Sequence, residues 1–225
     1  MVITNKRSVH VILDLDETLI NSTSAFHKNK TYDAKRCAKF ELLNSKGTEI
    51  ELDVYMRPHL NEFLSWLCKN FIVSVWSAGE KNYVLDIVEK ILPTNPHAIF
   101  WREHCKDCER DTGRLKDIEW LKRKVPDLTR DNEIVVMVDD LKENCVNNAW
   151  SYNISEFDVS NKDACIDNEL HQLQSYLMLI KNASEQSDQE MSKLRKTEKS
   201  FCSASRPNAV SGSHGKSIMI AIINN

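Results

Sequence analysis

Val9-His10-Val11-Ile12-Leu13-Asp14-Leu15-Asp16-Glu17-Thr18-Leu19 is the stretch whose reading decides the fold. An apolar run rich in β-branched residues ends in two carboxylates two positions apart, followed by a hydroxyl-bearing residue able to open a turn. Such a run reads as a buried strand that delivers acids to its C-terminal end. Residues two apart in an extended chain project from the same face, which aims Asp14 and Asp16 into one small volume. Like charges that close repel, and one takes up a proton unless a cation holds both ionised. The spacing therefore fits a bound metal or an acid/base pair, and a phosphoryl-transfer site would use both. A strand that merely runs out into an acidic loop carries the same spacing, so the rest of the chain has to support or sink the sharper reading.

The 225 residues, 41% apolar and 28% charged, are ordinary for a globular protein with one substantial core. A net charge of -3 gives no reason to expect non-specific attraction to nucleic acid or to a membrane surface. The 7 cysteines have no framework spacing, and the first residues lack the apolar core of a signal peptide, so a reducing intracellular compartment is expected. Cys105-Lys106-Asp107-Cys108 has no second pair to complete a tetrahedral zinc site, and a structural zinc is not expected there. The apolar run at 218–223 is too short to span a membrane.

In chain order, the segment 20–38 is polar and mixed and reads as a loop from Asn21-Ser22-Thr23-Ser24 onward. Alternation on either side of Asn44-Ser45-Lys46-Gly47 predicts a β-hairpin insertion over about 38–56. Arg57-Pro58 stops its second strand and opens a helix with a core stripe of Leu60, Phe63, Leu64 and Leu67. Phe71-Ile72-Val73-Ser74-Val75-Trp76 is apolar enough for a strand covered on both faces. It ends at Ser77-Ala78-Gly79, just before a helix carrying Tyr83, Val84, Ile87, Val88 and Ile91. A junction of that kind offers free N–H groups and the positive end of a helix to an anion.

A short strand follows at 98–102, and Lys116 comes near the start of a further helix. Ile134-Val135-Val136-Met137-Val138 again ends in paired acids, Asp139 and Asp140. Parallel strands joined by right-handed crossovers present their C-terminal ends on one edge, where ligands bind. Asp14, Asp16, Ser77, Asp139 and Asp140 are thus expected on a single rim. Tyr152-Asn153-Ile154 reads as a last edge strand and 167–180 as an amphipathic helix. The expected organisation is an α/β domain over 1–182 and a polar tail over 183–225, too poor in apolar residues to pack. Lys193-Leu194-Arg195-Lys196 within it reads as a solvated charge run.

The sequence resembles the small, stand-alone RNA polymerase II C-terminal-domain phosphatases, the nuclear LIM interactor-interacting factor-like group of the haloacid dehalogenase superfamily. The resemblance covers roughly residues 7–180. It rests on Asp14-Leu15-Asp16-Glu17-Thr18-Leu19, Tyr55-Met56-Arg57-Pro58-His59, Trp76-Ser77-Ala78-Gly79, Phe100-Trp101-Arg102-Glu103, Gly113-Arg114-Leu115-Lys116-Asp117 and Val138-Asp139-Asp140, in that order. It implies a Rossmann-like parallel sheet flanked by helices and a magnesium-dependent phosphatase acting on phosphoserine or phosphothreonine in a protein segment. Asp14 matches the nucleophile that becomes an aspartyl-phosphate, Asp16 the general acid, Ser77 the hydroxyl that holds the phosphoryl group, and Lys116 the lysine that neutralises it. Asp14, Asp16, Asp139 and Asp140 match the acids around Mg2+, and Thr18, Ala78, Tyr83 and Arg102 match positions that contact substrate. Ser24 stands where close relatives place an aromatic residue that grips a proline, with Phe26 nearby. By resemblance a nuclear location is favoured over a cytoplasmic one. The alternatives are a non-catalytic phosphopeptide-binding module on the same fold and a phosphatase for a small molecule or a nucleic-acid end.

Overall fold

The opening strand, β1 (Val9–Leu13), is buried at every position. The computed structural model of the chain describes residues 7–24, 37–43, 49–107, 114–130, 133–146 and 150–185. After β1 come β2 (Ile20–Ser24), β3 (Cys37–Leu43), β4 (Glu49–Met56), α1 (Leu60–Asn70), β5 (Ile72–Trp76), α2 (Lys81–Ile91) and β6 (Ala98–Phe100). The second half adds β7 (Lys106–Asp107), β8 (Arg114–Leu115), α3 (Ile118–Lys124), β9 (Ile134–Asp139), α4 (Lys142–Val146), β10 (Trp150–Asn153) and α5 (Glu169–Ser184). β1 is the middle strand of a 5-stranded sheet ordered β10-β9-β1-β5-β6, in which every pairing is parallel.

Helices on both faces explain why the central strands are apolar throughout rather than alternating. Val9, Val11 and Leu13 belong to a core shared with the buried stripes of α1, α2 and α5, whereas Ile12 points to the other face. There it joins Trp76, Phe100 and Met137 over Ile118 and Leu121 of α3. The period of two along β1 thus divides one run of residues between two cores.

The hairpin insertion is a 3-stranded antiparallel sheet, ordered β2-β4-β3. β2 corrects the expectation of a loop from Asn21: β4 pairs with it from Ile20↔Met56 to Ser24↔Leu52. Side-chain polarity hid this strand, because at a sheet border the backbone ladder alone can hold it and no apolar alternation is needed. The last edge strand is β10, as expected, and α5 runs to Ser184, past the expected boundary at 182. The tail beyond 185, the turn at 44–48, Phe26, Cys108 and Gly113 lie outside the described residues, as does the side chain of Ser24. No helix among the described residues is long and apolar enough to cross a membrane.

Arg57 is more than a strand stop. Its guanidinium is buried, forks onto Asp167 at 2.9 and 2.8 Å, and donates to the carbonyl oxygens of Thr18 at 2.8 Å and Ser155 at 2.7 Å. It also lies 5.4 Å from the centre of the Phe157 ring. One side chain thereby ties the turn after β1 to the segment before α5. Replacing one member of a buried pair leaves the other uncompensated, a loss of about 3–5 kcal/mol. Arg57→Met should lower unfolding free energy in urea by about that amount, whereas a change under about 1 kcal/mol would show that the fork adds little.

His10 is a second buried polar residue, away from the acids. Its Nε2 is 2.8 Å from Ser74 Oγ, its Nδ1 is 3.7 Å from a Glu133 carboxyl oxygen, and the His97 ring meets it edge-on. Burial pushes the imidazole down from 6.5 to about 4; His97 acts in the same direction and Glu133 against it. The unfolded chain therefore binds a proton that the folded one refuses. Stability from this group is complete above pH 6.5 and is lost as pH falls toward 4, by at most about 3 kcal/mol. Urea unfolding of His10→Gln between about pH 7.5 and about pH 4.5 should show a shallower loss of stability than the parent chain. Parallel pH dependences would contradict this assignment.

Candidate active site

Strand register assembles the site. Leu13 is level with Val138 on one side and Val75 on the other, so the next residues of β1, β9 and β5 emerge together at one edge. Asp14 donates its N–H to Val138 O at 3.0 Å, and Ser77 donates its own to Phe100 O at 3.0 Å. Beyond Asp14 the chain turns tightly, with the N–H groups of Thr18, Leu19 and Ile20 all converging on Leu15 O. Glu17 takes a left-handed conformation (φ 56) to make this turn, and its carbonyl accepts from Phe157 N–H. Burial, with Asp16 and Asp140 close by, pushes the Glu17 carboxyl up to about 7.

On one side of the edge the charges are paired in the interior. Lys116 Nζ is 2.5 Å from Asp14 Oδ1 and donates to Asp139 Oδ2 at 2.8 Å. Burial alone would favour the neutral amine, but Asp139 and Asp14 outweigh it and hold the lysine above its ordinary range. Asp14 is shifted upward by burial and by Asp139 and Asp16, against the pull of Lys116. Burial and Asp139 likewise raise Asp140. Thr18 Oγ1 lies 3.4 Å from Asp14 Oδ2 and 3.2 Å from Asp140 Oδ1. Oxygens of Asp14, Asp139 and Asp140 come within 4.8 Å of one another, so one lysine faces a concentration of acid that a divalent cation would balance. An all-oxygen carboxylate set is what magnesium takes.

Asp16, expected beside those acids, presents its carboxylate to hydroxyls. Tyr83 donates to its Oδ1, Ser22 Oγ is 3.3 Å from the same oxygen, and Ser77 Oγ is 3.4 Å from Oδ2. Burial and the Asp16 charge keep the Tyr83 phenol far above its usual range, so it remains a donor. Gly79 donates its N–H to Ser77 Oγ at 2.9 Å. A Cβ on Gly79 would come within 2.8 Å of the Tyr83 ring, so glycine is needed for this close approach.

Between the two groups lies a cavity of about 240 Å³ whose wall includes Asp14, Asp16, Ser77, Lys116 and Asp140. Of the expected substrate contacts, Ala78 lines this cavity, while Thr18 lies buried behind Asp14 and Asp140. Tyr83 stands behind Asp16, and the exposed Arg102 donates to Ala78 O at 3.1 Å and faces Glu80 at 3.7 Å. Cys105, half of the lone Cys-x-x-Cys, is buried and forms part of the cavity wall.

Two residues of the site carry no signal in the sequence. Asn144 accepts from Lys116 N–H at 3.0 Å and donates to Asp139 Oδ1 at 3.0 Å, locking the lysine segment to β9 and α4. Ser22 reaches Asp16 only because β2 is a strand, and that strand left no apolar pattern to find.

The model of the NLI interacting factor-like phosphatase family matches residues 9–189. Two CTD phosphatase-like proteins, from Invertebrate iridescent virus 3 and Invertebrate iridescent virus 6, are 31% and 28% identical over 156 and 183 residues. The alignments cover 62% of this chain and 78% of the first relative, and 75% and 96% for the second. Among solved structures, the fission yeast RNA polymerase II CTD phosphatase Fcp1 bound to beryllium fluoride matches with a TM-score of 0.52 at 19% identity. That match covers 88% of this chain but 63% of the yeast structure, and the likeness is one of fold. With its parallel sheet between helices and a family match across nearly all of the described residues, this chain belongs to the NLI interacting factor-like phosphatases of the haloacid dehalogenase-like fold.

Proposed function

We propose that this chain is a magnesium-dependent phosphatase of phosphoserine and phosphothreonine in proteins, acting through an aspartyl-phosphate on Asp14. The observation that carries this reading is the separation of two carboxylates on one turn. Asp14 is paired with Lys116 beside Asp139 and Asp140, while Asp16 lies across the cavity among hydroxyls. Groups of one chemical type in such different surroundings are suited to different jobs.

An Asp14 oxygen forms a bond to phosphorus as the bond to the seryl oxygen breaks, and the departing oxygen takes its electron pair together with a proton from Asp16. Water then attacks phosphorus, Asp16 accepts the water's proton, and the bond to Asp14 breaks to restore the carboxylate. Lys116, Ser77 and the N–H groups at the start of α2 supply the donors and positive charge that phosphoryl transfer chiefly requires. Asp14, Asp139 and Asp140 would hold the magnesium ion, which when bound supplies charge neutralisation to the phosphoryl oxygens.

A protein substrate is supported by the small β2-β4-β3 insertion, none of whose described residues lines the cavity, and by the CTD phosphatase-like relatives. The C-terminal domain of RNA polymerase II is one substrate of this class. Phosphate release from p-nitrophenyl phosphate should require magnesium, vanish on chelation, and fall by about 10³-fold or more in Asp14→Asn. In a panel, phosphoserine peptides should exceed phosphosugars and 3′-phosphorylated oligonucleotides in kcat/KM by about tenfold or more. Full turnover in Asp14→Asn would contradict the mechanism. A preference for sugars or oligonucleotides would contradict the substrate class, and tight peptide binding without turnover would favour a binding module.

A further inference from the structure

Tyr83 and Ser22 stand where a substrate contact and a loop residue were expected, yet both end on the same oxygen of Asp16. Tyr83 comes from the first turns of α2 and donates to Asp16 Oδ1. Ser22 comes from the opposite side, on β2, with its Oγ 3.0 Å from the Tyr83 hydroxyl and 3.3 Å from Asp16 Oδ1. The serine has one proton to share between the phenol oxygen and the carboxylate, so the three groups form a closed triangle. Neither Tyr83 nor Ser22 lines the cavity, whereas Asp16 does.

Two consequences follow from that triangle. Oδ1 is taken by two hydroxyls from behind, whereas Oδ2 accepts a single long bond, at 3.4 Å, from the Oγ of Ser77, which lines the cavity. Rotation about the carboxyl bond is also opposed from two separate elements, α2 and β2, so the orientation of Asp16 is set by the fold and not by the substrate. Such supporting contacts matter because a proton donor that strays by about 1 Å from its acceptor loses much of its effect.

We propose that Tyr83 and Ser22 are positioning residues that fix Asp16 with Oδ2 toward the leaving oxygen, acting through Asp16 rather than by touching the substrate. This rests on the reading of Asp16 as the proton donor. In the step concerned, the phosphorus–oxygen bond to the leaving group breaks while its oxygen takes the electron pair and the Oδ2 proton. When the donor is misplaced, the leaving oxygen must depart with more negative charge, and the rate becomes more sensitive to how well each leaving group bears that charge.

The test uses substituted phenyl phosphates of increasing leaving-group acidity, from phenyl to nitrophenyl, which are too small to reach a peptide groove. The readout is kcat/KM, which reports the step up to departure of the leaving group, for the full chain, Tyr83→Phe, Ser22→Ala and Asp16→Asn. Tyr83→Phe should lose about tenfold on phenyl phosphate but only about twofold on nitrophenyl phosphate, giving a steeper leaving-group dependence. Ser22→Ala should steepen it in the same direction by less, and Asp16→Asn by most, with melting temperatures close to the parent's. An equal loss along the whole series in both variants would overturn the proposal in favour of a structural role. An unchanged series with only a raised KM for a phosphoserine peptide would overturn it in favour of substrate contact. If Asp16→Asn itself leaves the dependence unaltered, the reading of Asp16 falls and the proposal falls with it, a result told apart from the others by that variant alone.

Discussion

A buried ammonium held between two carboxylates is the constraint from which the site is built. Lys116, Asp14 and Asp139 are almost wholly removed from water, and ions in that situation are tolerable only when each finds partners of opposite sign or hydrogen bonds. The three come from separate places: Asp14 follows β1, Asp139 closes β9, and Lys116 follows β8. Contacts of 2.5 and 2.8 Å among them can form only if the β1–β9 register and the position of the lysine segment are both correct. Asn144 secures the second condition by bonding the Lys116 backbone and the Asp139 side chain at once. The lysine to which the proposed mechanism assigns the phosphoryl group is therefore also the residue that allows the acids to be buried.

From that arrangement the two carboxylates of the Asp-x-Asp stretch separate. Asp14 is drawn into the interior by Lys116, with Asp139 and Asp140 close by. Asp16, at the other end of one short turn, is taken up by the hydroxyls of Tyr83, Ser22 and Ser77. The turn between them is held by the Arg57 guanidinium through Thr18 O and by the Phe157 N–H through Glu17 O. A left-handed Glu17 costs the chain on the order of 1 kcal/mol, which these fixed contacts offset.

Much of this was legible in the residues. Strands covered on both faces read as unbroken apolar runs, so β1, β5 and β9 were visible with the acids or hydroxyl at their ends, and a parallel sheet then required Asp14, Ser77 and Asp139 to meet. What the pattern could not carry were contacts fixed by tertiary placement. Arg57 finds Asp167 110 positions later, and no local period announces such a pair. β2 is made of residues that read as a loop, since the backbone ladder to β4 takes the place of apolar alternation. The sequence places Tyr83 on a helix and, by resemblance, at a substrate contact; its hydroxyl bond to Asp16 depends on where α2 begins relative to the turn.

The most direct test of the central claim is to quench the reaction with acid during turnover of a ³²P-labelled phosphopeptide and to locate any label on the protein. The proposed mechanism predicts an acid-stable, hydroxylamine-sensitive phosphoryl group on a peptide containing Asp14, absent from Asp14→Asn. Phosphate released during steady turnover with no label on the protein at any quench time, under conditions where a control aspartyl-phosphate survives, would mean that water attacks the substrate directly and that Asp14 is not the nucleophile.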